Sequence, residues 1–108
     1  MKQKDIVAKI RKLGYKVTVL SSSVMNRAGI PDILVSIDGE PIFIEIKIDK
    51  DKLSKLQEHF ANEFKMSWCC LHYSTKHKEY ILMYMDGFDD SSVYLAACAI
   101  RDKLNGAV

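Results

Sequence analysis

The chain has 108 residues, 48% apolar and 28% charged, the composition of a single soluble globular domain spanning residues 1–108. Its net charge of +2 identifies no partner, and three cysteines, Cys69, Cys70 and Cys98, fit neither a disulfide framework nor a zinc-ligand spacing. No apolar run approaches a membrane span and Met1-Lys2-Gln3-Lys4-Asp5 lacks the core of a secretory signal, so reduced thiols and an intracellular, cytoplasmic protein are expected.

The first predicted element is a helix over residues 3–13, with Ile6, Ile10 and Leu13 at helical spacing and Gly14 as its stop. Tyr15–Leu20 alternates and reads as a strand, and Ser21–Gly29 reads as a polar loop. Ile33–Ile37 is an apolar run of β-formers, and Pro41–Ile48 alternates with a period of two. Asp49-Lys50-Asp51-Lys52 is a polar connection to a helix opened by the capping-box pair Ser54 and Gln57. Leu53, Leu56, Phe60 and Phe64 give that helix an expected buried stripe. Trp68–Tyr73 and Tyr80–Met85 read as two more strands, the Met and Tyr residues of the second as core or dimer contacts. A final helix through about Leu104 is expected from a cap at Asp89 or Asp90.

Asp38-Gly39, between the second and third strands, supplies the positive φ angles of a two-residue type I′ turn. With that turn, residue 37 faces 40, 35 faces 42 and 32 faces 45. Directly opposed residues share a sheet face, with Cβ atoms about 4.5–5.5 Å apart, and Lys47 joins Glu45 on it because side chains alternate. Two opposed carboxylates repel, and an otherwise apolar strand pair has little reason to keep them. A cation between Asp32 and Glu45 resolves the conflict: Mg²⁺ is commonly held by one or two carboxylates, with water and substrate phosphate completing the shell. Lys47 would then orient a water or neutralise charge on a phosphate. The plainer alternative makes Asp32 a strand cap and Glu45 and Lys47 solvent-facing charges.

Asp32 followed by a strand pair ending in Glu45-Ile46-Lys47 resembles the Pro-Asp…(Asp/Glu)-x-Lys motif of the PD-(D/E)XK nuclease superfamily. Arg27-Ala28-Gly29-Ile30-Pro31-Asp32 and Leu53-Ser54-x-x-Gln57 are similar to the virus-type replication-repair nuclease (VRR-NUC) branch, whose small phage members stand alone. The resemblance implies an α/β fold with a restriction-endonuclease-like αβββαβ core, a mixed central sheet flanked by helices, here extended by a C-terminal strand and helix. It implies Asp32, Glu45, Lys47 and Gln57 as catalytic residues, and Asp32, Glu45 and the backbone carbonyl of Ile46 as ligands of Mg²⁺, with Mn²⁺ as a substitute. Gln57 also has a purely structural reading as the capping partner of Ser54. Relatives often carry a glutamate on the first helix, where this chain offers Asp5.

Residues 1–31 carry a charge of +6 and residues 79–108 a charge of −3, so one face is expected to meet a polyanion. Lys2, Lys4, Lys9, Arg11, Lys12 and Arg27 are the candidate phosphate contacts. No segment reads base edges, and the expectation is a metal-dependent DNA endonuclease that selects branched or Holliday-junction-like structure over sequence. A homodimer, phage-encoded and acting in the host cell, fits that reading. The rival is a non-catalytic nucleic-acid-binding or scaffold module that keeps the fold; RNA as substrate is open. His59, His72 and His77 are not expected at the site.

Overall fold

The computed structural model describes residues 1–20 and 29–106. Helix α1 (Gln3–Lys12) leads into β1 (Lys16–Val19), then β2 (Ile33–Ile37) and β3 (Glu40–Ile48). Helix α2 (Lys55–Glu63) and a 3₁₀ turn precede β4 (Trp68–Ser74) and β5 (Glu79–Tyr84), and α3 (Tyr94–Leu104) closes the order. The five strands form one mixed sheet in the order β1-β2-β3-β4-β5, antiparallel except for the parallel β3–β4 pair.

Side-chain alternation divides the sheet into two unlike faces. One carries Val35, Ile42, Ile44, Ile46, Cys69, Leu71 and Leu82, and buries them against Ile6, Val7 and Ile10 of α1 and Ala97 and Ile100 of α3. The other carries Phe43, Glu45 and Lys47 from β3 opposite Trp68, Cys70 and His72 from β4. Helix α2, the crossover that a parallel pair requires, covers part of this second face: Ala61 packs on Trp68 and Cys70, with Phe43 and Phe60 beside them.

The hairpin takes the expected register, with Ile37 opposite Glu40 and Val35 opposite Ile42. Asp38 and Gly39 have φ of 51° and 82°, the positive values of a type I′ turn. Two expectations about the helices are corrected. Leu56 does not join a buried stripe but is 52% exposed, and Phe64 also keeps an open edge while it stacks on Phe60. The reason is that α2 meets the sheet through Ala61 on Trp68 and Cys70 and through Phe60 on Phe43, which turns Leu56 away from it. The last helix begins at Tyr94 and not at Asp89 or Asp90, because Phe88 is fully buried and a 3₁₀ turn at Phe88–Asp90 delivers it.

Candidate active site

Three strands converge on Asp32. Its carbonyl accepts from Leu20 N–H at 2.8 Å, just past β1, and its Oδ2 accepts from Ile46 N–H at 2.7 Å on β3. The buried Pro31 precedes it and Ile33, its other neighbour, pairs with Ile44. The residue is thus tied to the main chain on both sides, its carbonyl to Leu20 and its carboxylate to Ile46, and only 7% of it is exposed. An extended residue turns its N–H and C=O to the same strand edge, so the Ile46 carbonyl lies on Asp32's side of β3.

Glu45 is 1% exposed, in a strand of isoleucines, and its carboxyl lies against that of Asp32. Burial, followed by the contact with Asp32, pushes its pKa up to about 9, against the opposing pull of Lys47. Its Oε2 is buried without a hydrogen-bond partner. Two carboxyl groups meet in this way only with a proton or a cation between them. Lys47, two residues along the same face, is half-buried. The structure therefore brings Asp32, Glu45 and Lys47 together.

The first turn of α2 is held near this centre by glycine. Gly29 has φ of +70°, and a Cβ there would stand 2.4 Å from the Leu56 backbone and 2.7 Å from its Cβ. Only glycine allows the strand-leading segment to lie against the helix so closely. Ser54 N–H donates to Gln57 Oε1 at 2.8 Å, and Gln57 N–H donates to Ser54 Oγ at 3.1 Å. The oxygen of Gln57 is thereby committed to the cap, which leaves its amide NH₂ for other contacts.

Sequence reasoning missed two neighbours. Cys70 stands opposite Glu45 and His72 opposite Lys47 across the parallel ladder. The buried Cys70 thiol is pushed up to about 12 by burial and then by Glu45. His72 is bonded through Nε2 to the Asp49 carbonyl at 2.5 Å, while the Asp49 carboxylate accepts from Thr75 N–H and Oγ–H, each at 2.8 Å. This clamp ties the end of β3, just past Lys47, to the end of β4.

The basic residues are more scattered than the sequence implies. Helix α1 lies against the face opposite Glu45 and Lys47. Lys4 and Arg11 line a groove with Val19, next to the Leu20 that bonds Asp32. Lys9 and Lys12 line a separate groove with Lys103, and Lys2 is exposed at the helix start. Asp5 accepts from Lys2 N–H at 2.8 Å as the capping residue of α1. Arg27 lies outside the described residues, as do Ser21–Ser23 and Asn26.

A mixed five-stranded sheet with helices on both faces is an α/β fold of the resolvase and restriction-endonuclease-like kind. Neither a known family profile nor a curated protein sequence matches the chain. Among solved structures it is similar to Hjc of Archaeoglobus fulgidus, a Holliday junction resolvase from an archaeal hyperthermophile. The TM-score is 0.54 at 19% identity, over 75% of this chain and 71% of that one. Among the described residues no helix is long and apolar enough to cross a membrane.

Proposed function

We propose that the chain is a metal-dependent endonuclease that hydrolyses DNA phosphodiester bonds and selects branched, junction-like DNA over a base sequence. The observation that carries this reading is the buried Asp32–Glu45 pair with Lys47 beside it on the same strand face. A pair that needs a cation or a proton, with an orphaned Glu45 Oε2, fits Mg²⁺ or Mn²⁺. Among the described residues no three His, Cys, Asp or Glu side chains cluster around one point. The protein ligands would be Asp32, Glu45 and the Ile46 carbonyl, and water and phosphate oxygens would complete the shell. A divalent cation bound there polarises a phosphate and lowers the pKa of a bound water.

The chain's own residues supply the rest. Asp32 and Glu45 hold their oxygens in place through the Ile46 amide and each other, so little reorganisation is left for the reaction. Lys47 neutralises charge that builds on the phosphate and orients the attacking water. Gln57 offers its NH₂ to that water, with its oxygen held by Ser54. Lys4 and Arg11 bind phosphates further along the backbone, with Lys2, Lys9, Lys12 and Arg27 as outer contacts, which makes affinity salt-dependent and indifferent to sequence. The similarity to a Holliday junction resolvase supports a branched substrate. Within the nuclease fold we place the chain in the VRR-NUC branch, with phage-type members. A homodimer is consistent with β5 as an unpaired edge strand.

The test is incubation of the protein with labelled four-way junction, flap, nicked and linear duplex DNA, and with RNA counterparts, in Mg²⁺ and in EDTA. The expected result is cleavage that requires metal, is most rapid on a branched DNA, and vanishes in Asp32→Asn. Binding without cutting in both Mg²⁺ and Mn²⁺ would refute the nuclease and leave a nucleic-acid-binding module.

A further inference from the structure

The uncovered part of the site face forms a pocket of about 490 Å³ that begins at Lys47 and runs to the edge strand. Its walls are Leu53, Trp68, Met83 and Met85, and its rim carries Lys47, Lys52, Asp51, Glu58 and His72. The volume falls in the range of about 300–1,000 Å³ typical of small-ligand sites. Met83 is 50% exposed, so this wall is open to a ligand and is not core. Trp68 is 98% buried by contrast, and its Nε1–H has no hydrogen-bond partner. A buried donor left unpaired is costly and rare.

We infer that this pocket takes a single unpaired nucleobase of the strand whose phosphate lies at Lys47. The inference rests on the nuclease reading of that site and names what makes its substrate recognisable. The rim holds two lysines, two carboxylates and a histidine. Carboxylates repel a phosphate, whereas a base presents both donors and acceptors along its edge. The apolar walls, Leu53, Met83 and Met85, accept the base faces. Trp68 lines the same pocket, and its unpaired N–H is a donor buried in that wall. A stacked duplex cannot deliver a base to this depth; a frayed, flapped or junction strand can. Selectivity for branched DNA then follows from the pocket, without base-specific reading.

Trp68 is the sole tryptophan, so its fluorescence reports this pocket. The protein in EDTA, which withholds the metal, is titrated with an oligothymidylate of about ten nucleotides, within the usual site sizes of single-strand binders. A tetrahydrofuran-abasic strand of the same length and charge serves as the comparison. The expected result is a change in Trp68 emission with the thymidylate and binding at least about fivefold tighter than to the abasic strand. Met83→Ala, at a position 50% exposed, should remove most of that preference while abasic binding stays and urea unfolding matches the wild type. Equal affinity for both strands with unchanged emission would overturn the inference. So would an emission change that follows protein concentration alone, which would make the pocket a contact between two copies. The two readings fail separately: metal-dependent cleavage without base preference removes only the pocket, and base preference without cleavage removes only the nuclease.

Discussion

Glu45→Gln should make the metal-free protein more stable, and the structure sets the size of the effect. Burial and Asp32 raise the Glu45 carboxyl from an ordinary 4.5 to about 9. Between those values the folded pair binds one proton that the unfolded chain does not. Stability is therefore full below pH 4.5 and falls as pH rises towards 9. Each pH unit in that window costs about 1.4 kcal/mol, so at pH 7 the native state has lost roughly 3 kcal/mol relative to its acid limit. Glutamine keeps the shape, carries no charge and presents an N–H donor to Asp32, so it removes this loss. For a domain of this size the gain corresponds to a rise in Tm of about 10 °C or more. Urea or thermal unfolding of both proteins at pH 5, 6, 7 and 8 in EDTA is the assay, with the gap between them widening at each step. Mn²⁺ should then stabilise the wild type and leave the variant unmoved, since a ligand that binds only the native state raises its stability. A variant no more stable than wild type at pH 8, or a gap that does not change with pH, would refute a proton held between the two carboxyls.

Lys47→Met should lower cleavage by about 10²-fold or more while calorimetric Mn²⁺ binding persists, because it removes charge neutralisation and no metal ligand. Loss of Mn²⁺ binding in that variant would count against the assigned role. Gly29→Ala should destabilise by about 2 kcal/mol or more, since both its φ of +70° and the 2.4 Å approach to the Leu56 backbone exclude a Cβ; unchanged urea unfolding would contradict the packing described. Lys4→Ala with Arg11→Ala should flatten the log–log salt dependence of DNA affinity by about 0.9 per lost phosphate contact, measured by fluorescence anisotropy. An unaltered slope would move the DNA path away from the α1 groove.

The hairpin that carries the candidate site was legible because its geometry is local. A two-residue Asp-Gly turn allows one register, and a period of two then decides which side chains share a face, so Asp32, Glu45 and Lys47 could be aligned from residue numbers alone. The capping pair Ser54–Gln57 and the stop at Gly14 were readable for the same reason: each acts within a few residues of itself. What the sequence left open involves contacts between distant segments. No turn sets the register of a parallel pair, so the placement of Cys70 and His72 beside Glu45 and Lys47 came only from the packing of β4 across the α2 crossover. The exposure of Leu56 and the late start of α3 were decided by tertiary packing, Gly29 against the Leu56 backbone and Ala61 against Trp68 and Cys70 in one case and buried Phe88 in the other. A count of lysines could describe α1 as basic, but only the sheet has sides, and its two faces put that helix opposite the carboxylates. Local stereochemistry is written in adjacent residues, whereas the choice of which apolar surfaces meet is made by the whole core at once.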